Sequence, residues 1–157
     1  MKAMNRFLFL LATGFGSGRS PLVSGTTGTM AAIPVHLAAA WLLGSFWFAV
    51  AAVLFVPVAI ASAEVACRQL NVKDPGLIVV DEWAGYFITV ALHPLHWQTV
   101  AAGFVVFRIL DVLKPFPARR LEHLPRGTGV VLDDVMVGVY GNALLWLILP
   151  YLAVLLP

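Results

Sequence analysis

The sequence predicts an all-α integral membrane protein: about five membrane helices after an N-terminal interfacial or re-entrant segment, in one domain over residues 1–157. Three observations carry this. Of the 157 residues, 61% are hydrophobic and 11% are charged, and the mean hydropathy is +0.91. A soluble domain is about half apolar and about a quarter charged, so charges this sparse cannot cover a water-exposed surface. Long stretches (20–63, 83–107 and 135–157) contain no Lys, Arg, Asp or Glu, and a spanning helix needs roughly 20 apolar residues. The charged residues are confined to the N-terminal run before residue 20 and the runs between those stretches.

The N-terminus mimics a signal peptide, with Lys2 and Arg6 preceding the apolar run Phe7–Leu11. That run is short and Ala12-Thr13-Gly14 matches a cleavage site poorly, so the segment reads as retained, lying on or dipping into the interface. The first uncharged stretch is too long for one helix. Gly44-Ser45 supplies a turn and divides it into helices of about 29–43 and 46–68, with Pro34 in the first turns of one and Pro57 kinking the other. The middle stretch is interrupted by His93-Pro94-Leu95-His96-Trp97. A single span would put two histidines at the bilayer midplane, which is costly. A hairpin of helices 79–93 and 97–114 puts them at an interface, where Trp97 is also at home. The last stretch gives one helix, about 130–155. With this parity every Lys, Arg, Asp and Glu falls on one side of the membrane, and the positive-inside bias makes that side cytoplasmic.

The formal charge of +2 does not point to nucleic acid, and the single Cys67, read as a small apolar residue, excludes an internal disulfide. Five of the eight acids abut apolar helices: Asp81-Glu82 opens the third, Asp111 lies near the end of the fourth, and Asp133-Asp134 falls in the first turn of the fifth. Capping accounts for one acid of each pair. It fails for Asp111, near a helix C-terminus, and it leaves the doubling unexplained. Adjacent carboxylates at headgroup depth repel unless a cation neutralises them, and a hard cation with oxygen ligands, Mg²⁺ first, fits best. Arg108, Asp111 and Lys114 share one broad helix face through their spacing of three. They form either an ion-pair ladder or two phosphate ligands flanking a metal ligand.

The loop from Gly14 to Thr29 has glycines, hydroxyls and Arg19, and it leads into a helix. Glycines let backbone amides converge on an anion at a helix N-terminus; the bland alternative is a flexible loop. No Lys-Ser or Lys-Thr follows the glycines, so it is not a Walker loop. Weaker signals read as structural: Glu64 with Arg68 as a helix pair, Asp74-Pro75-Gly76 as a turn, Gly138 and Gly141 as packing sites on the side of Asp134, and His93 and His96 as polar groups on the acid-free side. His123 is an acid/base candidate, and Arg119 and Arg120 suit anionic lipid.

Taken together, the glycine-rich loop, Val80-Asp81-Glu82-Trp83-Ala84-Gly85, the run from Ala101 to Pro117 containing Arg108-x-x-Asp111-x-x-Lys114-Pro115, and Gly129 to Val135 with Asp133-Asp134 resemble the phosphatidylglycerophosphatase A family. The likeness runs from about residue 12 to 145, in order and with similar spacing. Ser24 departs from it, standing where the family has a proline before Gly-Thr. The resemblance implies a bacterial inner-membrane enzyme that removes the terminal phosphate of phosphatidylglycerophosphate with Mg²⁺. The expected catalytic set is Asp81, Glu82, Asp111, Asp133 and Asp134, with Glu82, Asp111, Asp133 and Asp134 as metal ligands. The expected phosphate ligands are Arg19, Thr26, Thr29, Arg108 and Lys114, and the partner is a phospholipid in the membrane.

Two other classes stay open beside this one. A CDP-alcohol phosphotransferase expects Asp-Gly-x-x-Ala-Arg, which the chain lacks. A non-enzymatic ion or lipid transporter expects acids near mid-membrane and charges on both faces. Neither a cysteinyl-phosphate nor a haloacid-dehalogenase pattern occurs: Lys73, not arginine, follows Cys67 at the required distance, and there is no Asp-x-Asp-x-Thr.

Overall fold

The computed structural model describes residues 3–20 and 23–155, and of Ala153 the backbone only. Lys2 of the N-terminal segment and Pro21 and Leu22 of the glycine-rich loop lie outside the described residues. Six α-helices follow in order: α1 (Ala3–Ala12), α2 (Ser24–Leu70), α3 (Val80–Val90), α4 (Trp97–Leu113), α5 (Ala118–Leu121) and α6 (Arg126–Leu155), with a 3-10 turn at Gly14–Arg19 before α2. No strand occurs among the described residues.

The helix expected over 29–43 starts earlier, at Ser24, and its continuation runs to Leu70. The helical dihedrals break only at Gly44 (φ 75°, ψ 161°), a positive-φ conformation that glycine adopts without a Cβ penalty; those at Pro57 stay helical. The break folds the chain back. The rings of His36 and Phe48 lie 4.9 Å apart, whereas a straight helix would separate residues twelve apart by about 18 Å. The predicted turn at Gly44 therefore makes a helical hairpin of two limbs, 24–43 and 45–70. Ala32 and Ala40 of one limb share a buried cluster with Phe48 and Ala52 of the other.

The break at His93–His96 is also present, between α3 and α4. Here α3 ends at Val90 rather than at 93, and Asn142 of α6 explains the stop. Its side-chain amide donates to the carbonyls of Ile88 (3.0 Å), Thr89 (3.1 Å) and Ala91 (2.7 Å), groups that a helix C-terminus leaves unpaired. Nothing in the residues around Asn142 marks it for this task. At eleven residues α3 is about 16 Å long, too short to cross a hydrocarbon core of about 30 Å. Its side chains from Trp83 to Val90 are almost all buried, and α3 packs chiefly on α6 and α2. It is a central strut. Gly85 of α3 meets Gly138 of α6 so closely that a Cβ on Gly138 would overlap the Gly85 carbonyl, the close approach that small residues permit between membrane helices.

By length and composition α2 and α6 can cross a membrane. Their outward faces carry Trp41, Leu42, Trp47, Leu54, Trp146 and Leu147, all more than half exposed. Bare apolar surface of this extent on a soluble monomer would aggregate, and lipid is its natural solvent. The last helix starts at Arg126, a full turn before the expected 130. Glu64 of α2 makes this possible: its Oε2 accepts a hydrogen bond from Gly127 N (3.1 Å) and its Oε1 pairs with Arg126 (3.7 Å) and Arg68 (2.7 Å). Glu64 is thus a cap supplied from another helix as well as the plain partner of Arg68.

Candidate active site

The early start of α6 moves Asp133 and Asp134 two turns into the helix, away from the first turn expected from the sequence. Capping cannot explain acids at that depth, since the dipole's influence fades within a turn. Both are buried, each side chain about 4% exposed. Neighbouring helices bring the other acids to the same end of the bundle. Asp81 and Glu82 lie in the first turn of α3, and Asp111 in the last turns of α4.

Two cations organise these acids. Arg108 of α4 reaches Asp111 Oδ2 at 2.8 Å and Glu82 Oε1 at 3.5 Å. Lys114, just past the end of α4, lies 2.5 Å from Asp133 Oδ2, 2.8 Å from Glu122 Oε1, 3.8 Å from Asp134 Oδ1 and 3.9 Å from Asp111 Oδ1. Burial alone would lower the Lys114 pKa, but Asp134, Asp133 and Glu122 outweigh it and raise the pKa, so the ammonium stays charged. Glu122, in the loop after α5, is held below the ordinary carboxylate range, first by its hydrogen bond from Lys114. Of the two readings open for Arg108, Asp111 and Lys114, the side chains as they stand form the ion-pair ladder, and Glu82, Glu122, Asp133 and Asp134 attach to it.

The balance of charge is unequal. Glu82, Asp111, Glu122, Asp133 and Asp134 share Arg108 and Lys114, and Asp81 lies in the adjoining cavity wall with Lys73. Among the described residues, three buried carboxylate oxygens have no hydrogen-bond partner: Asp81 Oδ1, Glu82 Oε2 and Asp133 Oδ1. An unpaired buried carboxylate oxygen costs several kcal/mol unless it is protonated or meets a cation. Oxygen donors of this kind suit a hard divalent ion. As the side chains stand, no three acids, histidines or cysteines among the described residues surround a common point; Arg108 and Lys114 occupy the positions between them.

Beside the hub opens a polar cavity of ≈ 340 Å³, lined by Lys73, Asp74, Asp81, Lys114, Asp133 and the loop residues Glu122 and His123. Lys73 also donates to the Glu122 carbonyl (3.0 Å), tying this loop to the end of α2. By sequence Lys73 and Asp74 are only loop and turn residues. Nothing in their local spacing marks them, because the cavity is closed by an element far along the chain.

The glycine-rich loop reaches the same site from the other side. Cβ atoms on Gly25 or Gly28 would overlap the Glu82 carboxylate, and Gly25 also abuts the Arg108 guanidinium. Bare backbone at the first turns of α2 thus faces the Glu82–Arg108 pair. The individual hydroxyls differ. Thr29 is fully buried and donates to Gly25 O (2.9 Å), and Thr27 donates within its own turn and to Ser17 O (3.2 Å), so both serve the local fold. Thr26 is half-buried and Arg19 exposed. Among the described residues no ion pair joins Arg19 to the acid hub.

Comparison with known proteins bears on this arrangement. A family model described as phosphatidylglycerophosphatase A matches residues 10–149. A relative named phosphatidylglycerophosphatase A from Escherichia coli (strain K12) is 41% identical over 145 residues, covering 88% of this chain and 81% of its own. One of the same name from Haemophilus influenzae is 38% identical, covering 85% of this chain and 83% of its own. A Bacteroides thetaiotaomicron relative, named provisionally as a phosphatidylinositol-3-phosphatase, is 36% identical over 92% of this chain and 95% of its own. No solved structure matches the chain.

Proposed function

The chain belongs to the phosphatidylglycerophosphatase A family, and from that premise we propose how it acts: it hydrolyses the terminal phosphomonoester of phosphatidylglycerophosphate, giving phosphatidylglycerol and inorganic phosphate. One observation carries the reading of the site. An excess of buried carboxylates surrounds two fixed cations at one end of an apolar bundle, beside a polar cavity. A lipid phosphomonoester presents its charge at that depth, with its chains in the hydrocarbon.

The terminal phosphate enters the polar cavity, where Lys114 and Lys73 meet it. Arg108 and the backbone at Gly25, with Thr26 and Arg19 at the loop, hold the lipid's remaining anionic oxygens. Such groups stabilise charge that grows on the phosphoryl oxygens in the transition state. Thr29 is left out of this set because its hydroxyl is committed to Gly25. Asp81, whose Oδ1 is unpartnered at the cavity, takes a proton from the attacking water. The water oxygen bonds to phosphorus, the bond to the glycerol oxygen breaks, and that oxygen takes a proton from solvent while Asp81 returns its own to solvent. Glu82, Asp111, Asp133 and Asp134 would hold Mg²⁺, which supplies polarisation of the phosphoryl oxygens when bound.

The same reading places five helical segments in the bilayer, namely the two limbs of α2 with α3, α4 and α6. The acid hub then faces the cytoplasm from a bacterial inner membrane, as the confinement of Lys and Arg to that end favours. The test is phosphate release from phosphatidylglycerophosphate by the purified protein, with Mg²⁺ and with EDTA. Release that requires Mg²⁺ is expected. Absence of release from folded protein in both conditions would remove the phosphatase reading, and release unaffected by EDTA would remove the metal.

A further inference from the structure

A second cavity lies where no charge does. It measures ≈ 560 Å³ and is a groove between the first limb of α2, through Met30, Ile33 and Leu37, and α4, through Val100, Ala101 and Phe104. Met30, Leu37, Trp97 and Ala101 of its lining are exposed, so it opens to the surface of the bundle. At its far end it reaches Leu95 to Trp97, the uncharged interface.

Its other end points to an occupant. Phe104 is one helical turn before Arg108, and Met30 is little more than a turn beyond Gly25, where bare backbone abuts that guanidinium. The two helices that frame the groove are thus the two that frame the Arg108–Glu82 end of the hub. Along α4 the order is fixed: Lys114 at the polar cavity, Arg108 about 9 Å deeper, then about 10 Å of apolar groove. A phosphomonoester, a second anionic linkage and a hydrocarbon chain follow one another in that order in the substrate.

We infer that the groove between α2 and α4 is the seat of an acyl chain of the lipid substrate. It orients the headgroup so that the terminal phosphate, and not the linkage nearer the glycerolipid, meets Lys114. This rests on the phosphatase reading, and its test separates the two.

Ala101 is exposed and outside the catalytic set, so Ala101→Trp fills the groove without disturbing the core. On dioleoyl phosphatidylglycerophosphate in detergent micelles, this variant should lose about tenfold in kcat/KM through KM, as expected for roughly ten lost carbon–carbon contacts. The dibutyroyl substrate, whose short chains reach only the mouth of the groove beside Phe104 and stop before Ala101, should turn over at nearly the unsubstituted rate. A dioleoyl analogue carrying a mid-chain diazirine should label residues 30–37 or 97–104, and unlabelled substrate but not phosphatidylcholine should compete. Equal losses on both substrates, no loss on either, or labelling that phosphatidylcholine competes equally well would overturn the inference. The phosphatase reading fails separately, if the unsubstituted protein releases no phosphate from either substrate; labelling then still decides the groove.

Discussion

Two buried polar sites in this bundle obey opposite rules. In the apolar centre, His36 Nδ1 and Tyr86 Oη meet at 3.2 Å, nearly sealed from solvent and walled by Phe48 and Phe87. One donor meets one acceptor, so the two facing groups are paired. At the charged end, Lys114 and Arg108 are each shared by several carboxylates, and oxygens of Asp81, Glu82 and Asp133 are left over. A satisfied buried pair adds modest stability, whereas an unsatisfied excess of like charge is costly and persists where binding or catalysis uses it.

This contrast breaks most sharply at Asp134. Asp134→Asn should reduce phosphate release by about a thousandfold or more while the protein stays folded in detergent by size exclusion and circular dichroism. If Asp111, Asp133 and Asp134 can each become Asn with turnover intact, the acid hub is only an ion-pair network. Lys114→Met comes next, with an expected loss of about a hundredfold in kcat/KM, because the hub loses the cation that meets the phosphate. A variant as active as the unsubstituted protein would reduce Lys114 to a charge balance for Asp133.

Tyr86→Phe tests the other side of the comparison. It should cost about 1 kcal/mol of stability, lowering Tm by a few degrees, and leave kcat within about twofold. A large loss of turnover would show the central pair to be part of the machinery. The smallest effect concerns pH. Glu122 has a lowered pKa in the folded protein, so its pairing with Lys114 stabilises above the ordinary carboxylate value and is lost as pH falls through the lowered one. Denaturation scans of Glu122→Gln should therefore show slightly lower stability than the unsubstituted protein at pH 7, with the gap closing as pH falls through the lowered carboxylate pKa. Glu122 is partly exposed, so the difference is a few tenths of a kcal/mol. The reverse order would mean that the ion pair destabilises the loop.

The sequence by itself determined the helical class, the breaks at Gly44 and at His93–His96, and the gathering of charge at one end, because each follows from local composition and from the cost of placing charge in hydrocarbon. It also picked out the acids, since doubled carboxylates beside apolar helices are too costly to persist without a cation or a task. Helix starts were less legible. The last helix gains a turn because Glu64, more than sixty residues away, caps it, and α3 ends where Asn142 takes up its carbonyls. The cavity behind Lys73 and Asp74 and the buried His36–Tyr86 pair were equally hidden. In each case the partner is distant in the chain, and a periodicity read along one segment carries no information about the segment that will pack on it. Tertiary structure alone decided which of the predicted polar residues are spent on the fold, as Thr29 is on Gly25, and which are left with buried oxygens unpaired, as Asp81, Glu82 and Asp133 are.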